Sequence, residues 1–390
     1  MKISSTGLVV IFLVAITPLA ASPPVPLASW MEDAELTDVF FLDQEQGWAV
    51  GDRGVIWYTS DGGHHWQRRE SGVTGKLESI HFVDRQHGWI CGGWTRSYSH
   101  RTRGILLATT DGGRNWKRVP NLRLPRLKSV FFTDSLHGWA LGENSTLCPS
   151  GIFLTRDGGT SWTMVVQGPA QPWLAGDFYD AGSGLVIGSG GMVARVTPTR
   201  AESIGRPPWG TRRLNALQLA GVDLAWLVGD GGLVAVSHDT GRHWSPPAGS
   251  LPLDNPGQFD FQTVSVVENH CWIAGNPGSI VLHSADGGES WQRQQTGQTL
   301  PIRSLCFVDP RNGWAVGALG TILVTRDGGD HWQRQRSGGA RAAVLGMFSS
   351  EKTTVYELFS LLSGNDGYLG VAQLVTSPIE GKGDMFARWQ

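Results

Sequence analysis

Six aspartates recur in one local setting. The segments TSDGGHHW, TTDGGRNW, TRDGGTSW, SHDTGRHW, SADGGESW and TRDGGDHW place Asp61, Asp111, Asp157, Asp239, Asp286 and Asp327 two residues after a hydroxyl side chain. Five residues further on stand Trp66, Trp116, Trp162, Trp244, Trp291 and Trp332. Carboxylates at a fixed spacing invite three chemistries. Glycoside hydrolysis needs two carboxyl groups about 5–9 Å apart, whereas equivalent groups in successive repeats stand dispersed around a ring. Calcium wants about six to eight oxygens, and each segment offers one carboxylate. Asp177 and Asp260 lie outside the segments and are the acids left to line a central opening, should hydrolysis occur. Tyr58, Tyr98 and Tyr179 have no glutamate in an arrangement that would make a glycosidase nucleophile. His64, His65, His81, His87 and His137 mostly fall at corresponding turns of different repeats, so repetition accounts for them better than metal ligation. No catalytic residue, metal or cofactor is assigned on these grounds.

The alternative role for the repeated aspartate is architectural. At the head of a hairpin its carboxylate accepts backbone N–H groups of the turn. The glycine takes the left-handed backbone position, and the tryptophan folds onto the hairpin, burying apolar area worth about 2–3 kcal/mol. Successive aspartates are 50, 46, 82, 47 and 41 residues apart. A period in the forties is that of a four-stranded propeller blade, and the gap of 82 holds two periods. A second repeat supports the count: LTDVFFLDQEQGWAVG, LESIHFVDRQHGWICG, LKSVFFTDSLHGWALG, LAGDFYDAGSGLVIG, LNALQLAGVDLAWLVG, FQTVSVVENHCWIAG and IRSLCFVDPRNGWAVG make seven units. The fourth lies in the long gap, and SGGMVARVT after it reads as the third strand of a blade without its aspartate segment. The expected fold is all-β, a seven-bladed β-propeller over residues 30–338, each blade four strands joined by short Gly-rich turns.

Composition agrees. Gly reaches 53 and Trp 18 of 390 residues, which suits short strands and tight turns. Thirty-two Lys and Arg against 34 Asp and Glu leave a formal charge of −2, so bulk charge points to neither nucleic acid nor an acidic surface. Residues 1–22 carry Lys2, an apolar run from Leu8 to Ile16 and small residues around Ala20 to Ser22, the pattern of a signal peptide. Export to a periplasm, thylakoid lumen or extracellular space is expected. A lipoprotein signal would place Cys where Ser22 stands. Cys91, Cys148, Cys271 and Cys306 show no metal-like spacing, and free thiols are favoured over disulfides. Residues 340–390 lose the period and read as a βαβ-like tail, either a truncated second domain or an element docked on the propeller.

The S/T-x-D-x-G-x-x-W segment resembles the Asp-box, or bacterial neuraminidase repeat, of sialidases, xyloglucan-active glycosidases and sortilin-type receptors. The coupled unit LxSVxFVDxxxGWAVG…TxDGGxxW more closely resembles the photosystem II stability and assembly factor family. That resemblance covers about 300 residues. It implies a seven-bladed, non-enzymatic, exported protein that binds a membrane-protein partner during assembly; an Asp-box glycoside hydrolase is the alternative.

Chain order places the Asp-boxes on one face with the turns between first and second strands. The turns between second and third strands, and the connections between blades, emerge on the other. There two second-to-third-strand loops are long, Trp94 to Arg103 and Glu143 to Ser150. Arg68, Arg69, Lys76, Arg96, Arg101, Arg103, Lys117, Arg118, Arg123, Arg126 and Lys128 cluster in sequence there against Glu70 alone, with Trp94 and Tyr98 among them. Such a field steers an acidic partner, and arginines bind carboxylates in bidentate fashion. The expected partner is a protein, a membrane-protein subunit or its acidic segment. No nucleic acid or small-molecule cofactor is expected, and the protein should be a monomer.

Overall fold

The structure is a computed structural model that describes residues 33–95, 102–204 and 208–336. The expected signal peptide and the tail 340–390 lie outside the described residues, as do Arg96, Tyr98 and Arg101. Among the described residues seven antiparallel sheets follow one another in chain order, six of four strands and one of three. In the first blade Leu36–Phe41, Gly47–Gly51, Ile56–Thr59 and Gln67–Arg69 run outward from the axis in sequence order. Each sheet is built from consecutive strands, and the inner strand of the seventh blade, Ile302–Phe307, packs on that of the first. The ring is closed.

Burial explains the strand patterns. Four of the seven second strands read GWAVG, GWALG or AWLVG and are buried at every residue, because neighbouring blades cover both faces. Inner strands alternate instead, one set of side chains entering the blade interface and the other lining the axis. No backbone ladder links one inner strand to the next; side chains do it. Thr37 donates to the Leu77 carbonyl at 2.6 Å, Ile80 N–H to Asp38 at 2.9 Å, Leu219 N–H to Asp177 at 2.9 Å, and Leu305 N–H to Thr263 at 3.1 Å.

At four blade junctions the second-strand tryptophan of one blade and the Asp-box tryptophan of the next meet on a shared phenylalanine. Phe41 stacks on Trp314 with centroids 3.5 Å apart, and Trp66 meets the same Phe41 edge-on at 5.9 Å. Phe82 between Trp48 and Trp116 repeats the arrangement, as do Phe132 between Trp89 and Trp162 and Phe307 between Trp272 and Trp332. Gly47 must be glycine here, because a Cβ would strike the Phe41 ring. The Asp-box tryptophan is therefore not confined to its own hairpin, as expected from the sequence, but takes part in a junction between blades.

Two blades depart from the pattern. In the fourth, the Asp-box is replaced by a two-residue turn closed by reciprocal Thr197 and Arg200 backbone bonds, and a fourth strand, Ala201–Ser203, is retained. In the fifth, the outer strand is reduced to a single Val236–Ser245 bridge. Pro246 and Pro247 follow and have no N–H to extend the ladder. The expected seven-bladed plan of four-stranded blades holds, with the fourth strand of this one blade shortened to a bridge.

Candidate functional site

The six Asp-boxes share one hydrogen-bond scheme. In the first, Thr59 Oγ1 donates to Asp61 Oδ1 at 2.8 Å and accepts from Gly63 N–H at 2.8 Å. Asp61 also accepts His65 N–H at 2.9 Å, and His65 Nδ1 lies 2.7 Å from Asp61 Oδ2. Asn115, Ser161, His243, Ser290 and His331 take the place of His65 in the other boxes. The residue before each tryptophan is thus a polar partner for the aspartate, visible in the sequence as His, Asn or Ser in all six segments and not used there. Burial works against ionisation of Asp61, but the bonds from His65 and Thr59 outweigh it and hold the carboxyl at about 2. Each carboxylate is saturated by its own turn, and none is aimed at a ligand.

The boxes and the first turns of the blades share a face. Gly62 N–H donates to Glu45 O, Gly112 to Gln86, Gly158 to Leu136, Thr240 to Asp223, Gly287 to Asn269 and Gly328 to Arg311. Those first turns are themselves clasped by aspartates: Asp84 accepts Gln86 and His87 N–H groups at 2.7 Å. His87 and His137 pair with Asp84 and Asp134. The half-buried His81 lines the axis, with Nε2 2.9 Å from the Phe132 carbonyl, and desolvation pushes its pKa down to about 4. Exposed His64 stands apart from these pairs. All four thiols are free.

Asp177 and Asp260 are not loop acids facing each other. Asp177 lies within the fourth inner strand and accepts Phe178 and Leu219 N–H groups at 2.9 Å. Asp260 opens the sixth inner strand and accepts Gly231 N–H at 3.0 Å. They sit two blades apart and four register positions from one another, roughly 13 Å along the strand direction. No carboxylate pair results. Tyr58 lies under the Arg69 guanidinium, 4.8 Å from the ring centroid, and Tyr179 is half-buried in the packing of the fourth and fifth blades.

The basic residues of the opposite face divide into two groups. Lys76, Arg126 and Lys128 are compensated. Lys76 pairs with Asp52 at 3.3 Å and Glu35 at 3.7 Å, while Arg126 and Lys128, the latter at 2.8 Å, converge on the largely buried Glu78. Burial opposes the charge on Glu78, and the two cations overcome it, holding its pKa below the usual range. Arg68 and Arg69 belong to the outer strand of the first blade, not to a loop. The sequence count of eleven cations against Glu70 alone therefore overstates the free charge.

The second group surrounds Trp94. Both ends of the long loop of the second blade are strand: Gly88–Thr95 pairs with Thr102–Thr109, and Trp94 lies directly opposite Arg103. The Arg103 and Arg118 guanidinium groups approach the Trp94 ring at 5.8 and 5.5 Å from its centroid, a cation–π arrangement. Lys117, Arg118 and Arg123 are exposed, and none pairs with an acid among the described residues. Leu147, 89% exposed, belongs to the neighbouring long loop of the third blade. The site thus brings an aromatic platform and uncompensated cations together on the face away from the Asp-boxes.

Comparison with known proteins places this geometry. The family model described as photosynthesis system II assembly factor YCF48 matches residues 27–128 and 214–306. A photosystem II assembly lipoprotein Ycf48 from Picosynechococcus sp. is 30% identical over 318 residues, covering 77% of this chain and 89% of the relative. The chain belongs to the Ycf48 family. Among solved structures, a Ycf48 bound to a D1 peptide aligns with a TM-score of 0.58 and 22% identity over 76% of this chain and 94% of that one. The GH74 xyloglucanase of Xanthomonas campestris aligns with a TM-score of 0.62 and 14% identity over 79% of this chain and 55% of the enzyme. At these identities the two structures speak to the fold alone, so the shared propeller transfers no hydrolytic chemistry. The stretch between the two Ycf48 matches contains the fourth blade with its missing Asp-box, where this member departs most from the repeat.

Proposed function

We propose that this Ycf48-family chain is an exported, non-enzymatic binder that captures an acidic segment of a membrane-protein subunit on the face around Trp94. The single observation that carries the proposal is the Trp94 platform flanked by Arg103 and Arg118, beside Lys117 and Arg123, which no acid of the described residues neutralises. Guanidinium groups held against an aromatic ring are pre-organised for carboxylates. Family membership supports a role in assembly, and the ligand of the solved relative, a D1 peptide, is of the expected kind. Arg96, Tyr98 and Arg101 are assigned to the same surface from their place in the sequence, with Arg68 and Arg69 at its edge. Lys76, Arg126 and Lys128 contribute through their network with Glu35 and Glu78 and not as free charges. The boxes on the other face serve as fasteners.

Replacing Lys117, Arg118 and Arg123 together by Glu tests the proposal, since all three are exposed and the substitutions spare the core. Affinity for an acidic peptide should fall at least tenfold, on the order of the loss expected for one or more charge-assisted bonds, and what remains should depend less on salt. Unchanged affinity in a variant that melts like the parent would refute it.

A further inference from the structure

The repeat breaks in three ways at one place. The fourth blade replaces its Asp-box by the short Thr197–Arg200 turn, the fifth blade loses all but one bridge of its outer strand, and the fifth Asp-box alone has Thr240 where the other five have glycine. Thr240 nevertheless keeps the left-handed backbone of its siblings, φ 60°, against 69–78° for the five glycines. A β-branched residue there is strained by about 1–2 kcal/mol. The strain has a local correlate. Arg195, from the third strand of the fourth blade, donates from Nη2 to the Thr240 carbonyl at 2.7 Å and to its hydroxyl at 2.9 Å. The threonine thereby fixes a half-buried guanidinium.

Beside it lies a cavity of about 450 Å³, lined by Arg195, Glu202, Ser203, Ile204 and Arg242. Glu202, itself part of the lining, is engaged at 2.6 Å by Arg200, which is not. Arg242 is exposed and pairs with no acid among the described residues. Two guanidinium groups therefore line one pocket whose single carboxylate, Glu202, is engaged by a third arginine, with a serine hydroxyl and an isoleucine beside them. We propose that this junction of the fourth and fifth blades is an oxyanion-binding site, taking a carboxylate or a phosphate monoester, separate from the Trp94 face. Loss of the regular hairpin and of the outer strand opens the space, and Thr240 orients the inner arginine. Two planar donors converging on a pocket match the geometry of such anions.

The test titrates the full chain by calorimetry with inorganic phosphate in one arm and succinate in the other, at constant ionic strength. Saturable binding of either anion is expected, and the arm that binds more tightly assigns the ligand class. Arg242→Gln, at an exposed position outside the sheet ladders, should weaken that binding about tenfold or more with an unchanged melting temperature. Arg195→Gln should do the same, and Thr240→Gly should weaken binding less while relieving the backbone. Absence of saturable binding by the parent in both arms, or equal affinity in Arg242→Gln, would overturn the proposal. Neither result touches the Trp94 face, whose peptide affinity is measured separately.

Discussion

Asp38 offers the most direct test of how the ring is held. Its carboxylate faces the axis and accepts the N–H of Val39, the N–H of Ile80 on the second blade and the hydroxyl of Ser304 on the seventh, at 2.8–2.9 Å. It joins three blades. Desolvation is the dominant influence and raises its pKa from 3.8 to about 6, the hydrogen bonds opposing the rise without cancelling it. A raised folded-state value means that the fold favours the protonated form. The resulting stabilisation is complete below about pH 4 and is lost as pH rises through about 6. For these two pKa values, linkage gives a loss on the order of 1 kcal/mol between pH 5 and 7.5 from Asp38 alone. Asp38→Asn removes the charge and keeps one acceptor oxygen, sacrificing a hydrogen bond worth about 1 kcal/mol. The variant should therefore gain on the parent by about 1 kcal/mol as pH rises from 5 to 7.5. Urea unfolding of both proteins at the two pH values measures this, each difference being taken within one pH. A parent-to-variant difference that does not change with pH would show that Asp38 is solvated like a surface acid, and the account of the axis would fail.

Two further outcomes follow from the junctions. Trp314→Phe keeps a ring on Phe41 but removes the indole N–H that donates to the Gly62 carbonyl at 3.0 Å, so stability should fall by about 1 kcal/mol in thermal unfolding; a neutral result would deny that bond a role in closing the ring. Gly47→Ala sets a methyl against the Phe41 ring and should destabilise by about 1–3 kcal/mol, whereas a change within experimental error would mean that the stacked rings can shift.

Most of the architecture was legible because each repeat carries it independently. The Gly-Trp start of the second strand and the aspartate six or seven residues into the next hairpin are local signals, and seven copies average out the noise of any one. The fourth blade was readable even without its Asp-box, since its inner strand pattern survives. Partnership between distant residues was not legible. Glu78 lies 48 and 50 residues from Arg126 and Lys128, and Glu35 is 41 from Lys76, so cations that look unopposed along the chain are neutralised by the neighbouring blade. Trp94 and Arg103 were read as loop because the hairpin arms extend beyond the apolar period. The lost outer strand of the fifth blade did have a signal, Pro246-Pro247, which the Asp-box just before it obscured. Asp177 was misplaced by its odd unit, which carries an acid at the register position where other blades carry Phe40, His81 or Phe131.

Because no blade borrows a strand from another among the described residues, the meeting of first and last is an ordinary face-to-face contact like the other six. Any connection between blades could then serve as the point where the polypeptide starts and stops. A circularly permuted gene, with Arg336 tied to Leu36 by a flexible linker and the chain opened between the fourth and fifth blades, should still yield a complete ring.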